Sequence, residues 1–262
     1  MSPEKRKIAA VVATLAVVAC VVGAGYLIVH ARSGTGGGLQ SPATGLPSST
    51  PTNQASPTTA SAANAWLVAK ALGTVVVHRQ PSPSAPVRAT LAKVNPRGYA
   101  TLMLVRETRR VDGVMWYLVS LTKRPSGSSG WVQASSVGTY TTVAKIVIDV
   151  SARRLSVFHN GRLMGRFPVA VGSSAYPTPT GSFFIDEKFR PSPSGGPFGV
   201  LAMGLNAFQP KLPALGSLAI HGTNNDAYIG QAVSDGCIRM RNTDVLKVSA
   251  WVAAGSPVVI EP

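Results

Sequence analysis

Two side chains in this sequence have the types and surroundings needed for covalent chemistry on a carbonyl group. Cys237 stands in Ser234-Asp235-Gly236-Cys237-Ile238-Arg239-Met240, and His221 stands sixteen residues upstream in Ala219-Ile220-His221-Gly222-Thr223. A thiol is a good nucleophile near neutral pH only with a base beside it, and imidazole is the usual one. A glycine before the thiol lets the backbone turn sharply and aim amide N–H groups at a developing oxyanion. Taken alone, such a cysteine or histidine is more often a structural residue. Here each has a glycine neighbour, and Cys237 is the only cysteine outside the first thirty residues. The pair predicts a thiol that alkylates faster than free cysteine at about pH 6. The two cysteines and four histidines of the chain show no metal-ligand spacing, so no metal site is expected.

The elements around the pair read as strands and loops. Charged residues are only 13% of the 262, and Gly (26) and Pro (20) are abundant, which argues against a helical bundle. Lys145 to Val150 and Arg154 to His159 are β-rich runs, and Asn160-Gly161 after them is a type I′ hairpin signal. Leu163 to Gly172 continues the meander. Ser173 to Gly181 and Arg190 to Gly199 are dense in Pro, Ser and Gly and predict long loops. One helix is predicted near the end. Asn242 is its candidate cap, Val245, Leu246, Val248, Ser249 and Val252 form its apolar face, and Gly255 and Pro257 stop it. A final strand follows over Pro257 to Ile260.

The N-terminal half sets the compartment. After Lys5, Arg6 and Lys7, residues Ile8 to Val29 run without a charge. As a helix these 22 residues would span roughly 33 Å, enough for a bilayer core of about 30 Å. The basic cluster predicts a cytoplasmic N-terminus, with the rest outside. A cleaved signal peptide is one alternative, and a lipid on Cys20, where Val17-Val18-Ala19-Cys20 resembles a lipobox, is another. All three place the bulk of the chain outside the cytoplasm and leave Cys237 without a partner. Residues 1–33 are read as cytoplasmic tip and anchor. Residues 34–64, uncharged and made mostly of Ser, Thr, Pro, Gly and Ala, are read as a disordered tether.

Residues 65–140 are read as a small all-β unit. Its predicted strands are Ala71 to Val77, Arg88 to Val94, Ala100 to Glu107, Val114 to Leu121 and Gly130 to Gln133. Trp116-Tyr117-Leu118-Val119 and Gly130-Trp131-Val132 resemble the paired strands of bacterial Src-homology-3-like barrels. The unit holds ten Lys and Arg against Glu107 and Asp112 alone. That excess fits attachment to an anionic wall polymer, or a spacer whose charge is incidental. The whole chain carries +15. DNA binding fits that charge but not an outside location without a recognition helix.

The catalytic stretch resembles a known family. Ile220-His221-Gly222-Thr223, Ile229-Gly230 and Ser234-x-Gly236-Cys237-Ile238-Arg239-Met240 resemble the signature of the L,D-transpeptidase catalytic domain. Upstream, Pro177-Thr178-Pro179-Thr180-Gly181-Ser182-Phe183 is similar to that family's T-P-T-G-x-F stretch. The likeness runs from about Thr141 to Ile260, and residues 141–262 are read as the catalytic domain. It implies a β-sandwich there, so the chain as a whole reads as mainly β: a transmembrane helix, a small Src-homology-3-like barrel, then a transpeptidase β-sandwich with one C-terminal helix. By position it implies Cys237 as nucleophile and His221 as base. The Gly222 carbonyl would orient the imidazole, and amides around Gly236 and Cys237 would form the oxyanion hole. Arg239 would bind a substrate carboxylate or form a structural ion pair. Ser234, Asp235 and Thr223 complete the implied substrate-binding set. Asp235 departs from the family, which commonly has histidine there. A carboxylate facing the sulfur would raise the thiol pKa.

The resemblance further implies a cell-wall L,D-transpeptidase that forms peptidoglycan cross-links through a cysteine acyl-enzyme and releases D-Ala. Peptide stems would be both donor and acceptor, the membrane would be met through the N-terminal helix, and carbapenem β-lactams would be covalent inhibitors. No cofactor is expected, because thiol, imidazole and backbone dipoles fill every role. Two rivals stay open: an L,D-carboxypeptidase using the same site with water as acceptor, and a catalytically idle wall-binding protein.

Overall fold

The computed structural model describes residues 64–214 and 216–262. The predicted anchor, and the predicted tether apart from Asn64, lie outside the described residues. Among the described residues no helix is long and apolar enough to cross a membrane.

The first seven strands form one sheet. They are β1 (Trp66–Ala71), β2 (Val75–His78), β3 (Val87–Leu91), β4 (Leu102–Val111), β5 (Val114–Ser120), β6 (Ser129–Gln133) and β7 (Val137–Thr142), in the spatial order β3-β2-β6-β5-β4-β1-β7. The order leaves β3 and β7 as its edges. Asp112 and Gly113 join β4 to β5 with φ of 47° and 77°, the left-handed pair a two-residue hairpin turn requires. Val75, Val77, Met103, Val119 and Val132 fill its core. The single strand expected over Ala71 to Val77 is two, because the chain breaks at Leu72-Gly73-Thr74 and leaves Leu72 exposed. The strand β7 was not anticipated, and it carries this ladder to Thr142, two residues past the expected end.

Only Val143 separates β7 from the second sheet. Its elements are β8 (Ala144–Asp149), β9 (Arg154–His159), β10 (Arg162–Pro168), β11 (Val171–Gly172), β12 (Gly181–Phe189), β13 (Ala202–Phe208), β14 (Ser217–His221), β15 (Ala232–Ser234), β16 (Ile238–Arg239), helix α1 (Asn242–Trp251) and β17 (Pro257–Glu261). Eight strands are ordered β10-β9-β8-β17-β12-β13-β14-β16, and β11 pairs separately with β15. The hairpin turn falls on Asn160 and Gly161, with φ of 49° and 75°. The first half of β12 pairs with β17 and the second half with β13, with a bulge between Ile185 and Glu187. Such a bulge bends a strand and lets it serve two sheet halves. The halves share one core, which includes Ile146, Leu155, Ile185, Leu205, Ile220 and Val248. Burying each such side chain contributes about 1.5–3 kcal/mol.

The helix lies where the sequence predicts, with two corrections. Arg241 occupies the cap position and makes no side-chain cap bond, while Asn242 is the first helical residue. Leu246 points outward, 41% exposed, while Val245, Val248 and Ser249 face the core.

The two sheets belong to one compact unit. Val68 and Leu102 of the first sheet pack with Phe184 of β12. The Tyr140 hydroxyl donates to Ala254 O at 2.8 Å, and the Thr142 and Ser256 hydroxyls bond at 3.0 Å. The Arg124 guanidinium donates to the carbonyls of Gln209 and Leu212, and Phe208 N–H donates to Ser126 Oγ. The turn after β13 is thus held by the first sheet.

Candidate active site

Parallel pairing of β14 with β16 builds the site. Ile220 lies opposite Ile238 and His221 opposite Arg239. Both isoleucines are buried in the core. Side chains alternate along strands, so His221 and Arg239 turn to the other face. Cys237 immediately precedes β16. The Ala219 backbone, two residues from His221, acts on its thiol, and the Arg239 guanidinium acts electrostatically on both side chains. The structure thus brings the thiol, the imidazole and Arg239 together.

His221 Nδ1 lies 2.6 Å from Gly222 O. A carbonyl only accepts, so Nδ1 carries the proton and Nε2 is left as the basic nitrogen. The backbone of Gly222 is locked in turn. A Cβ there would collide with Asn242 Oδ1, so only glycine fits. Asn242, read from the sequence as a helix cap, instead accepts from Val200 N at 3.2 Å and donates to Thr223 O at 3.0 Å.

Gly236 has φ of 111°, a conformation that excludes other residues. Its amide is not available as an oxyanion donor, because it donates to Ser234 Oγ at 3.1 Å. Ser234 Oγ in turn donates to Cys237 O at 2.6 Å. Ser234 therefore closes the turn around the thiol. Among the described residues the Cys237 N–H has no acceptor. Thr223 is buried and its hydroxyl accepts from Asn225 N at 3.1 Å, so it shapes its own loop. Arg239 pairs with no carboxylate among the described residues. Its guanidinium stands over the Tyr228 ring at 5.2 Å, and its buried Nε has no hydrogen-bond partner. The ion-pair reading falls away.

Burial sets the protonation of both reactive groups. It pushes the Cys237 thiol up, with the Asp235 carboxylate adding to it, while the Ala219 bond and Arg239 pull it down. It pushes His221 down to about 4, and Arg239 adds to that, against the Gly222 carbonyl. The resting pair is a neutral thiol and a neutral imidazole. The thiol expected to alkylate fast at about pH 6 is therefore held protonated there. Asp235 is exposed, and its effect on the thiol is the smallest of those acting. Asp235→Asn should move the midpoint of the acylation pH profile down by less than about one unit, since exposed charge pairs are weak. A shift of a full unit would make Asp235 a brake on the thiol.

Three contributors escaped the sequence. Thr178, within the quoted T-P-T-G stretch, donates its hydroxyl to Gly236 O at 3.0 Å and accepts from Gly172 N at 2.8 Å. Thr178→Val leaves two buried backbone groups unpaired, which costs about 1–3 kcal/mol. The expected Tm loss is roughly 2–4 °C per kcal/mol, with slower acylation of Cys237. An unchanged melting curve would show that the hydroxyl holds nothing. Gln209, fully buried, donates to Pro177 O at 2.9 Å and fills the space beside Gly236. Phe198, on the loop before β13, covers the imidazole with ring centroids 4.8 Å apart while staying half-exposed. For Thr178 the only sequence signal was its motif, and for Gln209 and Phe198 there was none.

A lone thiol and an imidazole oriented through Nδ1 thus share Arg239 as a neighbour at one end of a bent β-sheet. Residues 144–260 match the model of the YkuD L,D-transpeptidase catalytic domain. YkuD of Bacillus subtilis (strain 168) is 41% identical over 121 residues, which are 46% of this chain and 68% of that relative. The chain belongs to the L,D-transpeptidase family. Among solved structures, an L,D-transpeptidase from Mycobacterium tuberculosis H37Rv aligns over 60% of this chain and 98% of its own at 17% identity, with a TM-score of 0.41. L,D-transpeptidase 3 from the same species aligns over 74% and 98% at 16% identity, with a TM-score of 0.42.

Proposed function

We propose that this chain is a wall-facing L,D-transpeptidase that uses Cys237 as nucleophile and His221 as general base. The observation that carries the reading is the Nδ1–H bond from His221 to Gly222 O, which leaves Nε2 as the nitrogen that can serve the Cys237 thiol. In the first half-reaction Nε2 takes the thiol proton as sulfur attacks the carbonyl carbon of the diamino acid at stem position three. The Cys237 N–H holds the oxyanion. Collapse breaks the peptide bond, the imidazolium protonates the departing amine, and D-Ala leaves. In the second half-reaction the side-chain amine of another stem attacks the thioester. His221 takes its proton and returns it to the leaving thiolate. Arg239, with no acid partner, is the candidate for a stem carboxylate.

The first sheet is proposed as the Src-homology-3-like unit. Its support is that Trp116-Tyr117-Leu118-Val119 on β5 pairs with Gly130-Trp131-Val132 on β6, Leu118 opposite Trp131. Its exposed Arg106, Arg109 and Arg110 on β4 suit an anionic wall polymer. Anchoring through residues 8–29, with the enzyme outside, rests on their apolar length.

The test is a product analysis of purified tetrapeptide stems incubated with the full-length chain. Cross-linked dimer plus D-Ala supports the proposal. Tripeptide plus D-Ala without dimer assigns a carboxypeptidase instead, and unchanged stems refute both.

A further inference from the structure

The bulge in β12 has a second effect, away from Cys237. It turns two successive acids, Asp186 and Glu187, toward the same spot. Asp186 Oδ1 and Glu187 Cγ lie 2.7 and 2.9 Å from where a Cβ on Gly204 would sit. Both acids are buried, at 6% and 2% exposure. Asn95 Nδ2 donates to Glu187 Oε2 at 2.7 Å, and Arg97 Nε pairs with Glu187 Oε1 at 2.9 Å without forming a hydrogen bond. That arginine is further occupied by Ser217 Oγ, at 3.0 Å, and by the Phe189 ring. Asp186 has the Thr122 hydroxyl, but its Oδ1 has no hydrogen-bond partner.

Asp186 lines a cavity of about 580 Å³ between the two sheets. Leu91, Leu102 and Met103 supply apolar wall, and Thr122 and Arg97 complete its polar edge. Neither His221 nor Cys237 lines it. The volume is that of a small-molecule site, mostly apolar with a few convergent polar groups. Two carboxylates against one guanidinium leave one negative charge uncompensated, and of the two acids only Asp186 lines the cavity. A buried charge of this kind is favourable only when paired.

We propose that this cavity binds a primary ammonium group on an aliphatic stem, with the Asp186 carboxylate as its counter-ion and the leucine-lined wall receiving the stem. The site lies between the sheets and is separate from the acyl-transfer centre. Burial, with the Glu187 carboxylate adding to it, raises Asp186 to about 6, against the Thr122 bond and Arg97. The charged groups facing it are Glu187 and Arg97. An alkylammonium stays charged far above that range, so binding should follow ionisation of Asp186 and weaken about ten-fold from pH 7 to pH 5.

The probe is Nα-acetyl-L-lysine methylamide, which carries one ammonium and no other charge, titrated calorimetrically into the full-length chain at pH 7. Saturable binding is expected, weakened at least about ten-fold in Asp186→Asn, which keeps the side chain's shape. Carbapenem acylation of Cys237 in that variant should proceed at the wild-type rate, which reports an intact fold. The Nε-acetylated probe should not bind. Absence of saturable binding, equal affinity for the acetylated probe, equal affinity of Asp186→Asn, or a wild-type affinity unchanged at pH 5 would each overturn the proposal. The pH arm uses the wild-type chain alone and decides the matter even if the variant fails to fold.

Discussion

A Cys237→Ala chain is expected to form no covalent carbapenem adduct and to release no D-Ala from tetrapeptide stems. Removing the nucleophile of an acyl-transfer site costs on the order of 10⁶ in rate. No other group among the described residues can replace it, because Cys237 is their only thiol. The loss should leave the fold intact. Ser234 and Thr178 bind the carbonyls of Cys237 and Gly236, and neither bond uses the sulfur. Intact-mass measurement after carbapenem exposure, with a melting curve alongside, checks both parts. An adduct on the alanine variant would move the nucleophile elsewhere. Because burial holds the wild-type thiol protonated, simple alkylation at about pH 6 should be no faster than for free cysteine, whereas acylation by a ligand seated in the site proceeds.

Replacing His221 should be the next most damaging change. General-base assistance contributes about 10²–10⁴. His221→Ala should lower the acylation rate within that range, and the wild-type pH profile should carry its signature. Burial lowers the imidazole to about 4, so its basic form persists as pH falls. The acylation rate should therefore hold from pH 7 down to about pH 5 and fall only on approach to pH 4. An ordinary imidazole at about 6.5 would be only about 3% basic at pH 5, a loss of roughly thirty-fold. Stopped-flow acylation across that range separates the two cases. An acid limb centred near 6.5 would mean that the imidazole is solvated when it works.

The sequence was most legible where chemistry is local. The hairpin at Asn160-Gly161 and the limits of β9 follow from turn residues needing positive φ. The cysteine, the histidine and their glycines stand out because each is rare and sits in a short motif. What was not legible depends on distant partners. The strand β7 is defined by pairing with β1, from Trp66↔Thr142 to Ala71↔Val137, and nothing near Val137 announces that. Asn242 has the right type and place for a helix cap, but two loops claim its side chain. Gly236 carries the motif's signal, yet its amide is taken by Ser234, two residues away. Gln209 reaches the site through a turn gripped by Arg124, and no periodicity encodes such a contact.

Asn242 also gears two parts of the site to each other. Its carboxamide clasps Val200, two residues after Phe198, with one end, and with the other Thr223, two residues after His221. The aromatic cover and the segment that orients the base are therefore fastened to one pin at the start of α1. The loop that carries Phe198 and the loop that carries the Gly222 carbonyl therefore share one side-chain anchor. One side chain thus holds both the backbone beyond the aromatic cover and the backbone beyond the imidazole, so its loss would free the two together.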